Sequence, residues 1–79
     1  MEFKKISRAQ ARKRFLSFKP FIICASKVSP ASMFAAEIDE HTSQDYVTNE
    51  GFDAMVNEFK YYNCGPDTGH GVKFYIKEA

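Results

Sequence analysis

Phe52-Asp53-Ala54-Met55-Val56-Asn57-Glu58-Phe59-Lys60-Tyr61-Tyr62, followed beyond a Gly/Pro-containing turn by Val72-Lys73-Phe74-Tyr75-Ile76-Lys77, is the stretch whose reading decides the fold. In its first half Phe52, Met55, Val56, Phe59 and Tyr62 recur at helical spacing, which predicts a helix with one apolar stripe turned to a core. Its second half alternates strictly, which predicts a strand that sends Val72, Phe74 and Ile76 inward and leaves Lys73, Tyr75 and Lys77 on the other face. A stripe and a half-apolar strand each need a cover, and layered folds supply one from the other. Thr48 or Asn49 can cap the helix, and Glu50 and Asp53 suit the positive end of its dipole. Asn63-Cys64-Gly65-Pro66 supplies the residues that stop it. The side opposite the stripe carries Asp53, Asn57, Lys60 and Tyr61, so Tyr61 is expected to present an exposed ring.

Toward the amino terminus, Ser7-Arg8-Ala9-Gln10 has the spacing of a capping box, with Ile6 placed to staple onto Ala11. A helix from about Arg8 to Ser17 is expected, with Ala11, Phe15 and Phe18 on its core-facing arc and Lys19-Pro20 ending it. Arg8 and Arg12 neighbour each other beside that arc, whereas Lys13 and Arg14 point elsewhere. Phe21-Ile22-Ile23-Cys24-Ala25-Ser26-Lys27-Val28 starts apolar on both faces, as a central strand does, and Ser29-Pro30-Ala31-Ser32 breaks it. Met33 to Ile38 is a weaker strand candidate, with two alanines and no clear alternation. Asp39 to Gln44 is polar and acidic and reads as an exposed loop. The result is an α+β class, two helices on one face of a two- or three-stranded sheet in the order α-β-(β)-α-β, with the strand order left open.

A chain of 79 residues makes one domain, with 44% apolar residues, eight Phe and four Tyr to build a small aromatic core. Dimerisation would help a domain this small and is left open. The longest strongly apolar stretch, Phe21 to Ala25, is too short to span a bilayer, and no apolar signal region follows Met1-Glu2-Phe3-Lys4-Lys5; a cytoplasmic protein without a membrane partner is expected. Cys24 and Cys64 match no disulfide or metal framework, and two free thiols are expected, with their pairing open. The charge is split by position. Met1 to Val28 holds eight cations against the single carboxylate of Glu2, and Ser29 to Ala79 holds three lysines against nine carboxylates. Such a chain either orients toward a charged partner or folds its two halves against each other.

Specific chemistry is weakly encoded. Cys64-Gly65-Pro66-Asp67-Thr68-Gly69-His70-Gly71 joins a thiol, a carboxylate and an imidazole, yet a nucleophilic cysteine needs a base in reach and a group to orient it, and this composition is that of a connector. Its glycines lack both the spacing and the following helix of a phosphate-binding loop. Cys24, Cys64, His41 and His70 are numerically enough for zinc, but none stands in a close ligand pair, so no metal and no cofactor is expected. Lys73-Phe74-Tyr75-Ile76-Lys77 sets a ring between two cations, a chemistry that stacks a base and holds phosphates, with Lys4, Lys5, Arg8 and Arg12 extending the charge. The plainer reading is a solvated strand face whose lysines discourage edge pairing. An exposed face with Tyr61, Tyr75 or Phe34, edged by Arg8, Arg12 and Lys73, has the composition enriched in protein interfaces; the alternative is that these rings complete a small core, which is the place expected for Phe34.

Through Lys5-Ile6-Ser7 with Ala11, Phe52 to Tyr61-Tyr62-Asn63-Cys64, Thr68-Gly69 and Phe74-Tyr75, the chain resembles small proteins encoded by bacteriophages and integrated elements of gut Gram-positive bacteria, a group without an assigned activity. The resemblance covers most of the chain and implies a setting and no catalytic residue. The expectation is therefore a non-enzymatic accessory protein of a phage or mobile element that binds a protein partner, a host defence component among the candidates. The alternative is a small nucleic-acid-binding module. The residues expected to carry binding are Arg8, Arg12, Tyr61, Lys73, Tyr75 and Lys77.

Overall fold

The structure is a computed structural model that describes residues 2–33, 35–38 and 47–78. Phe34, His41 and the acidic stretch Asp39 to Gln44 lie outside the described residues. The elements are β1 (Glu2–Ile6), α1 (Arg8–Leu16), β2 (Phe21–Ala25), β3 (Ala35–Ile38), α2 (Asn49–Asn63) and β4 (Val72–Glu78). The four strands form one antiparallel sheet in the order β1-β4-β2-β3. Strands β1 and β2 run parallel with β4 between them, and β3 and β4 run parallel with β2 between them. The chain is thus two interleaved split β-α-β units, one built around each helix.

The α+β class and the two helices on one face agree with the sequence reading, but the sheet has four strands instead of two or three. The missing strand is β1. Glu2-Phe3-Lys4-Lys5-Ile6 pairs with β4 from Glu2 opposite Glu78 to Ile6 opposite Phe74. The weak candidate around Met33 to Ile38 is a strand from Ala35 onward, with Met33 exposed in the preceding turn. The run beginning at Phe21 leaves the sheet at Ala25, earlier than its composition suggested.

Register decides which side chains meet. Phe21, Ile23 and Ala25 share a face with Phe74 and Ile6, and onto that face α1 delivers Ala11 and Phe15 while α2 delivers Phe52, Val56 and Phe59. The centre is aromatic. The Phe52 ring centroid lies 5.6 Å from that of Phe15, 6.2 Å from Phe21 and 6.0 Å from Phe74. Val72 and Ile76 pack against this cluster, as their alternation with lysine predicts.

Both helix starts follow their sequence signals. The Gln10 amide donates to Ser7 Oγ at 3.1 Å while the Ser7 amide donates to Gln10 Oε1 at 2.9 Å, a complete capping box. For α2 the cap is Thr48, whose Oγ1 accepts from the Gly51 amide at 2.9 Å. Two aromatic residues depart from expectation. Helix α1 ends at Leu16, and Phe18 adopts a left-handed backbone with φ 59°, 44% exposed, where an arc position would have buried it. The amide of Phe18 donates to Phe15 O and that of Lys19 to Arg14 O, so Phe18 holds the position that glycine usually takes in this helix ending. Tyr62, read as part of the α2 stripe, is 73% exposed. It stands about 80° around the helix from Phe52, at the margin of the stripe, on a last turn that extends past the core.

Candidate functional site

The six residues picked out by the sequence fall on three separate surfaces. Arg8 and Arg12 stand one turn apart on α1 and reach across to α2. Each donates from Nη2 to Asp53 Oδ1, at 3.2 and 3.1 Å, and each guanidinium lies over the Phe52 ring, 5.7 and 5.4 Å from its centroid. The pair is a clamp between the helices. The hydrogen bond from Arg8 holds the Asp53 carboxyl below its ordinary range, with Arg12 adding to the effect and desolvation opposing it. Arg12 Nε is buried with no hydrogen-bond partner among the described residues, a sign that stacking on Phe52 sets the placement of this side chain.

Lys73, Tyr75 and Lys77 lie together on the helix-free face of the sheet, as alternation predicts. Lys73 Nζ sits 5.7 Å from the centroid of the Tyr75 ring, and Lys77 forms an ion pair with Glu37 of β3. That pair spans the intervening strand β2. Ile22 and Cys24 of β2 belong to this face by register, opposite Tyr75 and Lys73, and both are buried although no helix among the described residues covers them. Burial pushes the Cys24 thiol up, with Lys73 opposing, and its Sγ contacts Val28 O at 3.8 Å.

The third surface belongs to α2. Tyr61 is 81% exposed, as expected from its place opposite the stripe, and its ring meets that of Tyr62 edge to face with centroids 5.0 Å apart. Beside Tyr62 runs a groove of about 500 Å³ whose wall includes Phe15, Ile38, Met55, Phe59 and Glu58. Tyr62 is the binding candidate that sequence reasoning missed. Its signal was the marginal angle it shares with Met55, which is itself only half-buried.

The loop after α2 is built as a connector. Gly65 and Gly69 exchange backbone hydrogen bonds, the Thr68 hydroxyl donates to Asn63 O at 2.7 Å, and the Ser26 and Lys27 amides donate to Gly71 O and Thr68 O. Gly69 has φ 94°, and a Cβ there would stand 2.1 Å from Ser26 Oγ, so close docking on the turn after β2 requires glycine. Cys64 Sγ contacts Gly71 O at 3.5 Å, and burial raises its thiol pKa, the opposite of what activates a nucleophile. Asp67 and His70 are exposed. Both cysteines are free, and among the described residues no three His, Cys, Asp or Glu side chains gather as metal ligands. No helix among the described residues is long and apolar enough to cross a membrane. No protein-family model, curated protein or solved structure matches this chain.

Proposed function

We propose that the protein acts without catalysis, by docking a protein partner on the α2 surface formed by Tyr61, Tyr62 and the adjoining groove. The observation that carries this reading is the exposure of two contiguous aromatic rings beside an apolar concavity, where most other rings among the described residues are buried. Tyrosine supplies a large contact area at little conformational cost and is enriched at interface hot spots. Among the described residues the groove wall carries one charge, Glu58, which suits a partner that presents an apolar side chain flanked by a lysine or arginine. The resemblance to phage-encoded proteins directs the search for that partner to bacterial host proteins, defence components among them. Arg8 and Arg12 serve this reading indirectly, by fixing α2 on the core through Asp53.

The test compares capture from bacterial lysate by the wild-type chain and by the Tyr61→Ala and Tyr62→Ala variants, with and without nuclease. Both side chains are exposed, so the unfolding free energy should stay within about 0.5 kcal/mol of wild type. A directly bound partner survives nuclease and loses about 2 kcal/mol or more of affinity when either ring is removed, roughly thirtyfold. Retention of equal affinity by both variants would discard this surface. A concentration-dependent dimer abolished by Tyr62→Ala would place a second copy in the groove instead.

A further inference from the structure

Of the eight cations that Asp53 and Glu37 do not engage, four converge on one place. Lys4 of β1, Lys13 and Arg14 of α1, and Lys19 of the following turn line one cleft of about 300 Å³, near the lower end of ligand-pocket sizes. No carboxylate among the described residues belongs to its wall; Gln10 and Ser17 add polar groups, and Ile6 and Ile76 close the lining. Glu2 and Glu78 are the nearest acids by register, one position further along the same face of β1 and β4, at the outer end of the pair. None of the four cations takes part in an ion pair among the described residues. A lone surface lysine needs no explanation. Four cations drawn from three parts of the chain into one concavity repel one another, and an anion placed between them relieves that repulsion.

Two features show that the cleft is held in shape. Arg14 Nε donates to Pro20 O at 2.8 Å and the Lys19 amide donates to Arg14 O at 2.8 Å, which fixes the guanidinium against the turn that carries Lys19. Between Ser17 and Lys19, both in the wall, stands Phe18, half-exposed and left-handed. A bulky residue rarely takes this backbone conformation, and the strain is retained at a position where glycine would serve the helix ending. The strained turn carries a half-exposed aromatic residue between two residues of the cleft wall. A basic groove beside an exposed ring is the arrangement by which proteins hold the backbone and stack the bases of single strands.

We propose that this cleft binds the backbone phosphates of single-stranded nucleic acid, with Phe18 as the stacking ring at its rim. The site is separate from the α2 surface and from the Lys73, Tyr75 and Lys77 face. Its Lys13 and Arg14 lie on the side of α1 away from the clamp to Asp53, and Lys19 lies in the turn that follows.

The test is fluorescence anisotropy of a labelled ten-nucleotide oligothymidylate and its uridylate counterpart with the full chain at low salt, repeated over a salt series. Four phosphate contacts predict a slope of log affinity against log salt of about −3. The double variant Lys13→Glu/Lys19→Glu should bind at least tenfold more weakly and lower that slope by about 1 to 2. Phe18→Ala should weaken binding roughly tenfold with the slope unchanged. Lys60→Glu, a charge reversal on exposed α2, should leave affinity within about twofold, and far-ultraviolet circular dichroism should show every variant folded. No binding at low salt, or equal loss in Lys60→Glu and the double variant, would overturn the proposal. Binding of pyrophosphate, or of vesicles containing phosphatidylglycerol, without binding of either oligonucleotide would overturn the assignment to a strand.

Discussion

At Gly69 one hydrogen atom decides whether two turns can dock. The left-handed φ and the approach of Ser26 Oγ both exclude a side chain, so Gly69→Ala is expected to destabilise by about 1–3 kcal/mol in urea titrations. Adding Ser26→Ala should recover only part of the loss, because it removes the clash and leaves the φ; full recovery would show that backbone strain has no share. Asp53 makes a second prediction through linkage. Its folded pKa is depressed by Arg8, then Arg12, so the stabilisation it provides is complete above the unfolded-state value of about 4 and fades as pH falls through the lowered folded value. Asp53→Asn should therefore unfold at lower urea than wild type at pH 7, and the two midpoints should approach each other as pH drops below about 4. A midpoint difference that stays constant from pH 7 to pH 2 would show that the clamp acts through packing on Phe52 and not through charge.

Among the elements, legibility follows how much of the structural signal is local. Helix α2 and strand β4 were readable because their periodicities are long and each buries the side its pattern marks. The start of α1 was readable because a capping box lies within four consecutive residues. Strand β1 was not readable. Its two apolar residues, Phe3 and Ile6, point to opposite faces, three of its five residues are charged, and its placement comes from backbone pairing to a strand some seventy residues later. The ends of the helices were misread for a related reason: Phe18 and Tyr62 continue an apolar spacing into places where the core has already run out. Of the candidate surfaces, the Lys73, Tyr75 and Lys77 face was legible in the alternation. The Lys4, Lys13, Arg14 and Lys19 cleft was not, because it forms only when β1 joins the sheet beside α1. Helix α1 buries only Ala11 and Phe15, so its cap carries unusual weight. Ser7→Ala is expected to cost about 1 kcal/mol of global stability, measured by urea unfolding. A change below about 0.3 kcal/mol would mean that the clamp to Asp53 alone holds α1 in place.

For the molecule as a whole, strand order governs cooperativity. The basic amino-terminal part and the acidic remainder do fold against each other, through Arg8 and Arg12 on Asp53, but the deeper union is topological. Strand β4, near the end of the chain, inserts between β1 and β2, and β2 inserts between β4 and β3. Cut anywhere between β3 and α2, the amino-terminal piece keeps β1, α1, β2 and β3 but loses the strand that joins β1 to β2, together with Phe52, Val56, Phe59 and Phe74 from the core. What remains is a two-stranded hairpin and a helix with two buried residues, below what a domain needs to offset its chain entropy. A fragment of residues 1–38 is therefore expected to be unfolded by far-ultraviolet circular dichroism, and so is its complement 39–79. Mixing the two at equal concentration should restore the native spectrum with a sharp, concentration-dependent melting transition, since the missing strand then arrives from the other piece. Cooperative melting of fragment 1–38 alone would require β1 to pair directly with β2, and that pairing is incompatible with the order β1-β4-β2-β3.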